Sequence, residues 1–373
     1  MGLISDIDNY YFKPYNLKRK LSETKQDKVH HKEGNVWTHT KMVLEQLLSL
    51  SEFKSLDEQD RKILTYAALL HDIGKPFTSV VKKNGKISAP NHAEKGTLEA
   101  RALLYRHPEF MREILGELDF SEKEEVLSYV KYHGLPLFFM EKSDYKRNIM
   151  KASLEINLKK LLILSKADSL GRICEDENDL EERLAFFTEE AEKLECFNSP
   201  KQFLSDASRM NYFIHGDNFL HYSPFETGSD VIMLSGLPAS GKSFYTEKFL
   251  SELPIISLDK IRKELNIHPN KNQGKVINTA RERAKRLLAE KKDFVWDATN
   301  TTRAIRKLIT KVFSEYNANV KIIYFEVPYE NLINNNNSRE RYVPEKIIEK
   351  LINNLEPPKL WEATEVSDII NYK

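Results

Sequence analysis

In the first 200 residues, hydrophobic positions recur with the spacing of an α-helix. Apolar residues three and four positions apart form one apolar stripe along a helix. This spacing predicts helices over residues 41–49, 61–70, 98–104, 124–132, 158–167 and 180–194. The last of these is densely charged, which is typical of a solvated packing helix. A short hairpin is predicted over residues 80–88, where Asn84-Gly85 is a hairpin-turn signal.

After residue 230 the pattern changes to short apolar runs that alternate with amphipathic helices. The apolar runs predict buried strands over residues 231–235, 254–258, 294–296 and 320–327. Helices are predicted between and after them, over residues 244–252, 276–290, 303–316 and 345–355. Buried strands that alternate with helices are typical of a parallel sheet.

Between these two patterns lies a stretch broken by proline and glycine, with aromatic residues scattered without period. The chain is therefore predicted to be multidomain, with an all-α domain followed by an α/β domain that contains a parallel sheet. The expected divisions are residues 1–200 for the helical domain, 201–229 for a linker or docking segment, and 230–373 for the α/β domain.

Length and composition agree with two ordinary globular domains. The chain has 373 residues and a formal net charge of +1, so any nucleic-acid contact is expected at an active-site mouth. Its two cysteines, Cys174 and Cys196, are expected to be reduced thiols. Neither a signal peptide nor an apolar stretch near the ~20 residues of a membrane span is recognisable. We therefore expect a cytoplasmic protein without membrane contact.

A glycine-rich motif follows the first predicted strand of the α/β domain. Residues 236–243 match G-x-x-x-x-G-K-[ST], between a strand and a helix. Successive N–H groups of such a loop point into one concavity that suits phosphate oxygens. We expect Lys242 to reach the β/γ-phosphates and Ser243 to hold Mg²⁺, so ATP or another NTP with Mg²⁺ is the expected cofactor. The expected nucleotide-binding residues are Gly236, Pro238, Ala239, Ser240, Gly241, Lys242 and Ser243.

Polar residues after the next strands extend this site. Asp259 and Arg262 follow the second strand, where Asp259 could accept a proton from an attacking hydroxyl and Arg262 could grip an acceptor phosphate. Asp297 follows the third strand, where a magnesium-associated carboxylate is common in P-loop proteins. For Asp259 the alternative is a helix N-cap, and for Asp297 it is an N-cap or a turn. Arg339 and Arg341 could close over the triphosphate, the alternative being two solvent-exposed arginines.

These motifs resemble the 5′-OH polynucleotide kinase family over residues 230–362. The resemblance implies that Asp259 is the general base for a 5′-hydroxyl and that Arg262 binds a 3′-phosphodiester of the acceptor. One departure is visible, because the segment before the arginines usually carries another arginine and here reads Asn334 to Asn337. Which of Arg339 and Arg341 clamps the phosphate is therefore left open.

The helical half contains a dispersed set of metal-ligand residue types. An adjacent pair, His71-Asp72, follows an apolar helix, and other candidates are spread along the chain. Mixed imidazole and carboxylate ligands suit Mn²⁺, Fe²⁺, Co²⁺, Ni²⁺ or Zn²⁺, which bind and acidify water. A single histidine on a helix is usually only a packed or solvated side chain. The candidate ligands are His39, His71, Asp72, His92, His133 and Asp168.

The ordered set resembles the HD phosphohydrolase superfamily over residues 35–172. The resemblance implies that His39, His71, Asp72 and Asp168 hold a first metal and that His92 and His133 hold a second. It also implies that Lys75, and by extension Arg172, contacts the substrate phosphate. His31 could be a ligand or a residue that orients one.

Together the two halves resemble the bifunctional HD-Pnk enzymes, which heal broken RNA or DNA ends before ligation. The resemblance implies hydrolysis of 2′,3′-cyclic phosphate, 2′-phosphate or 3′-phosphate ends, and transfer of an NTP γ-phosphate to a 5′-OH. A separate ligase is then expected to seal the ends, because no ligase lysine motif is evident. One or two divalent metals such as Mn²⁺, Ni²⁺, Co²⁺ or Zn²⁺ are expected in the helical half.

Three alternatives stay open at this stage. The chain could join a nucleoside kinase to a nucleotidase, its P-loop half could phosphorylate a small metabolite, or it could be a non-catalytic nucleotide sensor. The sequence leaves open the choice of RNA or DNA, the phosphate donor and the oligomeric state.

Overall fold

The computed structural model describes residues 2–174, 177–222, 224, 226–268, 273–339 and 342–371. The chain divides into two compact units, Met1–Gln202 and Phe203–Lys373. The residues on either side of the division contact their own units. The backbone N–H of Lys201 donates to Ser153 Oγ at 3.1 Å in the first unit. The ring of Phe203 packs on Tyr212 in the second unit. Within the described ranges, no helix is both long enough and apolar enough to cross a membrane.

The first unit is helical, as predicted. Its helices are α1 (Leu3–Asn9), α2 (Leu17–Glu23), α3 (Val36–Ser49), α4 (Ser51–Lys54), α5 (Glu58–Leu70), α6 (Lys75–Thr78), α7 (His92–Arg106), α8 (Arg112–Leu115), α9 (Phe120–Tyr132), α10 (Leu135–Phe138), α11 (Tyr145–Ser153), α12 (Leu158–Leu170) and α13 (Glu177–Lys193). The predicted hairpin is present as β1 (Val80–Val81) and β2 (Ile87–Ser88), which pair antiparallel.

Polar caps explain why several helices begin before the apolar pattern does. Asn35 accepts a hydrogen bond from Thr38 N at 3.0 Å and starts α3, and Asp57 accepts one from Asp60 N at 2.8 Å and starts α5. Such caps satisfy backbone N–H groups that have no partner within the helix. In the core, α12 packs on α3 and α5, and α9 packs on α5 and α7. Their buried faces bring distant parts of the sequence together.

The second unit is an α/β domain with a five-stranded parallel sheet, which confirms the predicted fold class. Its strands are β3 (Asp230–Gly236), β4 (Ile255–Ser257), β5 (Phe294–Asp297), β6 (Asn319–Glu326) and β7 (Glu365–Ile370), arranged in the order β4-β5-β3-β6-β7. Its helices are α14 (Asp206–His215), α15 (Lys242–Phe249), α16 (Leu258–Glu264), α17 (Gln273–Ala289), α18 (Arg303–Ser314), α19 (Tyr329–Ser338) and α20 (Glu345–Ile352). The central position of β3 places the glycine-rich loop at the middle of the sheet's carboxyl edge.

Two features of the second unit differ from the sequence-based picture. The edge strand β7 was not predicted, because its residues are half-buried or exposed and lack the apolar run of a central strand. The segment expected as a linker or docking segment contains α14, which packs into the second unit. Met210 of α14 is buried in the same apolar cluster as Val231, and Arg209 donates to the carbonyl oxygen of Thr364 at 2.8 Å.

Candidate metal and nucleotide sites

The first unit brings all six candidate metal ligands to one place. His39 lies on α3, Asp168 lies on α12, and His92 begins α7. His71 and His133 are the C-cap residues of α5 and α9. Every member except the partly buried His92 is nearly inaccessible to solvent. The side chains come from five separate helices, so only the packing of the helices creates the cluster.

Asp72 lies at the centre of this cluster, and its two oxygens face different histidines. Asp72 Oδ2 lies 3.2 Å from His71 Nε2 and 3.7 Å from His39 Nε2. Asp72 Oδ1 lies 3.5 Å from His92 Nε2 and 4.0 Å from His133 Nε2. The carboxylate is therefore placed to bridge two cations, one on each side.

Three of the histidines have a tautomer set by the backbone. The Nδ1 atoms of His71, His92 and His133 lie 2.7, 2.9 and 2.8 Å from the carbonyl oxygens of Ala68, Ala89 and Val130. A carbonyl oxygen only accepts, so each Nδ1 carries the proton and each Nε2 keeps a lone pair. Those Nε2 atoms point toward Asp72, and the orientation is the one that metal-ligating histidines use.

The unsatisfied atoms of the cluster fit a cation. His71 Nε2 and both oxygens of Asp72 are buried without a well-formed hydrogen bond, although Lys75 Nζ lies 2.7 Å from Oδ2. His92 Nε2 and His133 Nε2 are only 3.3 Å apart. Burial lowers the pKa of His133 to about 3, so two neutral imidazoles direct lone pairs at each other. One or two divalent cations with a preference for nitrogen and oxygen ligands would satisfy all these atoms.

His39 and Asp168 form the remaining side of the cluster. His39 Nε2 lies 3.0 Å from Asp168 Oδ1, and its Nδ1 lies 3.1 Å from the carbonyl oxygen of Gly171. Burial alone would lower the pKa of His39, but hydrogen bonds to Asp168 and Glu33 raise it. A cation between His39 Nε2 and Asp168 would take the place of the shared proton.

Glu33 is a part of this site that sequence reasoning did not single out. Its buried carboxylate oxygen Oε1 lies 3.1 Å from His39 Nδ1 and 2.8 Å from His31 Nδ1, and Oε2 accepts from Ile173 N at 3.1 Å. His31 is thus held by Glu33 and stacks edge-on against His39. The signal in the sequence was a glutamate two residues after a histidine, upstream of the first ligand.

Two positively charged side chains, Lys75 and Arg172, border the cluster. Lys75 lies between Asp72 and Gln26, with Nζ 2.6 Å from Gln26 Oε1. Arg172 Nη2 donates to Asp168 Oδ2 at 2.6 Å. Burial would raise the pKa of Asp72, but the charge of Lys75 holds it well below its ordinary value. Both cations are placed where they could hold phosphate oxygens beside bound metals.

Two glycines permit the close packing that forms the cluster. A Cβ atom on Gly74 would lie 2.1 Å from the carbonyl oxygen of His92, so only glycine lets the His71-Asp72 turn approach α7. A Cβ atom on Gly171 would lie 2.7 Å from Val43 on α3. The glycine of the His-Asp-x-Gly-Lys motif is therefore required by the approach of two backbones.

The glycine-rich loop of the second unit has the backbone of a phosphate cradle. Gly236, Ala239 and Gly241 have φ angles of +149°, +66° and +97°, which turn successive peptide groups. Gly241 is the N-cap of α15, so Lys242 and the exposed Ser243 open that helix. Pro238 and Ser240 complete the loop, and Ser240 Oγ lies 3.4 Å from Lys242 Nζ.

Lys242 is folded back onto the loop that precedes it. Its Nζ donates to the carbonyl oxygens of Gly236 at 2.8 Å and Leu237 at 2.7 Å. Burial lowers the pKa of Lys242 to about 8, and the charge of Arg339 acts in the same direction. The negative charges of Asp297 and Asp259 oppose the shift, so these four side chains belong to one electrostatic site.

The two aspartates after the strands lie at the carboxyl edge of the sheet. Burial raises the pKa of Asp297, and Asp259 raises it further. Asp259 is in the first turn of α16, whose N-cap is Ser257, and Asp259 forms an ion pair with Arg262. Arg262 Nε also donates to Gln273 Oε1 at 3.0 Å. The side chain of Asp259 is 70% exposed, so its carboxylate is open to an acceptor.

Val343, two residues after Arg341, is hydrogen-bonded to α19. Asn336 Nδ2 donates to the carbonyl oxygen of Val343 at 2.8 Å, and its Oδ1 accepts from Val343 N at 3.0 Å. Asn335 Nδ2 donates to the carbonyl oxygen of Ala239 at 3.3 Å, which connects α19 to the glycine-rich loop. Arg339 follows α19 directly, whereas Arg341 lies outside the described residues.

A buried ion pair supports the loop that follows Asp297. Arg306 on α18 bonds both oxygens of Glu362 at 2.8 Å and donates to the carbonyl oxygen of Asn300 at 2.9 Å. Asn300 itself has a φ of +45° and donates through Nδ2 to the carbonyl oxygen of Leu234 at 2.7 Å. These contacts hold the segment after β5 against β3, beside the glycine-rich loop.

Comparison with known proteins agrees with this division of chemistry. A family model described as HD domain matches residues 36–173, and one described as AAA domain matches residues 231–358. The chain is 23% identical over 146 residues to L-seryl-tRNA(Sec) kinase of Methanococcus maripaludis, which covers 37% of this chain and 57% of that kinase. The chain therefore spans little more than half the length of this relative. A solved structure of a candidate kinase from Chloroflexus aurantiacus J-10-fl shares 13% identity with a TM-score of 0.33, and the match covers 39% of this chain and 89% of that chain.

The fold, the sites and the two family models define the classes of the two units. The first unit is an HD domain that carries a histidine–aspartate cluster able to hold divalent metal. The second unit is a P-loop, kinase-like α/β domain with a kinase among its relatives.

Proposed function

We propose that this protein heals broken nucleic-acid ends. In this proposal the HD domain hydrolyses a 2′,3′-cyclic phosphate, 2′-phosphate or 3′-phosphate end, and the kinase-like domain transfers the γ-phosphate of an NTP to a 5′-OH end. A break made by a ribonuclease presents both lesions, so the two activities complement each other. A separate ligase would act on the product.

The observation that carries this proposal is the ion pair between the exposed Asp259 and the partly buried Arg262 in the site of the P-loop lysine. Their ion pair provides a proton acceptor and a phosphate-binding guanidinium at one place. Because the Asp259 side chain is 70% exposed, the end of a large polymer could reach it. Sites for small molecules usually enclose most of the ligand surface. The relative from Methanococcus is named for an acceptor carried on RNA, which is compatible with an RNA acceptor here.

In the kinase reaction, Asp259 would accept the proton of the attacking 5′-hydroxyl while Arg262 holds a phosphate of the acceptor strand. Lys242 would leave the carbonyl oxygens of Gly236 and Leu237 and pair with the β- and γ-phosphates. Ser243 and Asp297 would hold Mg²⁺, and Arg339 would balance charge on the transferring phosphoryl group. Arg341 has the same proposed role.

In the hydrolase reaction, bound divalent metal would supply an acidified water and positive charge at the phosphate. His39, His71, Asp72 and Asp168 would hold one ion, with His92, His133 and Asp72 holding a second. Lys75 and Arg172 would bind the non-bridging oxygens of the substrate phosphate. Glu33 would keep His39 in the orientation that directs Nε2 into the cluster.

One substrate tests both halves at once. An RNA oligomer with a 5′-OH and a 2′,3′-cyclic phosphate is incubated with ATP and either Mn²⁺ or Mg²⁺. We expect Asp72→Ala to lose end hydrolysis and keep phosphorylation, and Asp259→Ala to do the reverse. Asp6→Ala, which removes an exposed carboxylate of α1, should keep both activities. Loss of both activities from either folded site variant would contradict two separate sites.

The main alternative is a nucleoside or small-metabolite kinase joined to an HD nucleotidase. Parallel kinase assays with a 5′-OH oligomer and with free nucleosides as acceptors separate the two. Phosphorylation of nucleosides but not of the oligomer would favour the alternative. If neither the oligomer nor the nucleosides are phosphorylated after incubation with ATP and metal, both kinase hypotheses are contradicted.

A further inference from the structure

We propose that Phe138 is a stacking platform for the nucleobase attached to the phosphate that the HD domain hydrolyses. This inference rests on the proposed function of that domain and names what it recognises beyond the phosphate. It predicts that the HD domain acts on nucleotide ends in preference to phosphate esters without a base.

Phe138 is an exposed aromatic residue beside the metal cluster. It ends the short helix α10, and its side chain is 37% exposed. Its ring lies against Gly134, because a Cβ atom placed on that glycine would be 3.5 Å from Phe138 Cδ2. Gly134 follows His133 directly, so the ring packs on the residue next to a candidate ligand.

A second contact connects the ring to the other end of the cluster. The guanidinium carbon of Arg172 lies 5.8 Å from the centroid of the Phe138 ring. The same guanidinium donates to Asp168 at 2.6 Å. Arg172 thus contacts both Phe138 and the candidate metal ligand Asp168, and it is also a candidate phosphate ligand. A phosphate held by Arg172 would bring the sugar and base of the same nucleotide next to the ring.

The backbone next to Phe138 is supported by contacts between Leu137 and α13. Leu137 is buried against Leu180 and Leu184 of α13, while the neighbouring Phe138 remains exposed. Arg183 Nη1 donates to the carbonyl oxygen of Leu137 at 3.1 Å, and its guanidinium carbon lies 5.9 Å from the ring centroid. The ring therefore has two arginine neighbours and a fixed backbone.

An exposed ring beside guanidinium groups is the composition that stacks with unpaired bases. Base–aromatic stacking tolerates any base, because every base has a π face, and arginine adds a cation–π contribution. A phosphate alone does not need such a surface. The same ring would therefore favour nucleotide substrates without selecting among the bases.

The test compares two small cyclic esters that differ only in the base. The full chain, loaded with Mn²⁺, is given adenosine 2′,3′-cyclic phosphate or the base-free methyl riboside 2,3-cyclic phosphate. We expect the wild type to show a KM about tenfold lower for the adenosine ester. We expect Phe138→Leu to remove that difference by raising the KM for the adenosine ester, with kcat for both esters nearly unchanged. Phe138→Trp should preserve the preference.

The matched control is Phe186→Leu, which removes another exposed ring of the same unit. Phe186 is 39% exposed and packs on Phe139, so the loss of apolar surface is similar. This variant should keep the preference for the adenosine ester. Calorimetric binding of adenosine 2′-monophosphate and of inorganic phosphate to the metal-free protein gives a readout without turnover, because the proposed hydrolysis needs bound metal. Only the nucleotide should bind more weakly to Phe138→Leu.

The outcomes separate this inference from the proposed function. If the wild type hydrolyses both esters with equal KM, or if Phe138→Leu impairs both equally, the stacking role of Phe138 is contradicted. The phosphoesterase activity proposed for the HD domain is still supported. If the wild type hydrolyses neither these esters nor a 2′- or 3′-phosphate end with any of the expected metals, the phosphoesterase is wrong and the platform falls with it.

Discussion

Glu33 contacts the candidate ligand His39 at the edge of the metal cluster, and it also holds His31. A buried carboxylate on the outer nitrogen of a ligating histidine fixes the ring and raises its basicity. We expect Glu33→Gln to lower the affinity of the HD domain for Mn²⁺ by about 10- to 100-fold. Isothermal titration calorimetry with the metal-free protein measures this directly.

A surface glutamate provides the control for this substitution. Glu23→Gln removes an exposed carboxylate that pairs with Arg19 in the preceding turn of its helix, so Mn²⁺ affinity should stay unchanged. Equal Mn²⁺ affinity for Glu33→Gln and the wild type would contradict the orienting role of Glu33.

Lys242 makes nucleotide binding depend on pH. Burial lowers the pKa of Lys242 from 10.5 to about 8 in the nucleotide-free protein. The phosphates of a nucleotide favour the charged ammonium and should raise the pKa again. At pH 8 we therefore expect ATP binding to take up a fraction of a proton, and ATP affinity to fall as the pH rises above 8.

The lowered pKa of Lys242 also affects the stability of the folded protein. Its contribution to stability rises with pH, whereas the ATP affinity falls. Between pH 8 and 10.5 the unfolded chain binds more protons at Lys242 than the folded chain does. The contribution of Lys242 to the free energy of unfolding therefore rises with pH through this window, as buried positive charge is relieved.

Calorimetry of ATP binding in two buffers of different ionisation enthalpy measures the predicted proton uptake at Lys242. The proton uptake should disappear in Lys242→Met and persist in the exposed-site control Lys248→Met. Proton uptake that persists in Lys242→Met would contradict its assignment to Lys242.

At the scale of elements, the buried pair of Arg306 and Glu362 joins α18 to the short 3-10 helix Leu360–Glu362 near the C-terminus. Both side chains are almost fully buried, at 0% and 4% exposure. Removing one partner of such a pair leaves an uncompensated charge and costs about 3–5 kcal/mol. We expect Glu362→Ala to lower the free energy of unfolding of the second unit by this amount, measured by urea denaturation of residues 203–373.

Two further variants define what the pair contributes. Glu365→Ala removes an exposed partner of Lys321 and should change the free energy of unfolding by less than about 1 kcal/mol. The double variant Arg306→Met, Glu362→Leu should recover most of the loss, because no unpaired charge remains buried. A single Glu362→Ala variant as stable as Glu365→Ala would contradict the structural role of the pair.

At the scale of the whole molecule, the chain should be separable between residues 202 and 203. The contacts of Lys201 belong to the first unit and the ring contacts of Phe203 to the second. We expect fragments 1–202 and 203–373 to fold separately, each with a cooperative thermal transition. Each fragment should keep the activity proposed for its domain.

A cut inside α14 is the matched control. Fragment 211–373 lacks Met210, which is buried in the sheet's apolar cluster, and Arg209, which bonds the segment before β7. This fragment should unfold at a clearly lower temperature than fragment 203–373. Equal thermal stability of the two fragments would show that α14 is not part of the second unit's core.

The local patterns in the sequence were sufficient for the fold class and for the P-loop. Helical periodicity, short apolar strands and the motif of residues 236–243 depend on residues close together in the chain, so the sequence displays them directly. The strand β7 was missed because an edge strand needs no continuous apolar run. The segment of α14 was taken for a linker or docking segment because its proline and glycine neighbours dominate the local composition.

The metal cluster shows what only the tertiary structure decided. The sequence supplied His39, His71-Asp72, His92, His133 and Asp168 as separate residue types with no common period. Their convergence, with Asp72 between two pairs of imidazoles, depends on the packing of five helices and on the room left by Gly74 and Gly171. Glu33 and Phe138 belong to the same category, since neither has a motif of its own. The sequence alone determined which chemical groups were available. The packing of distant segments decided which of these groups lie together, because a local sequence pattern does not specify distances across a core.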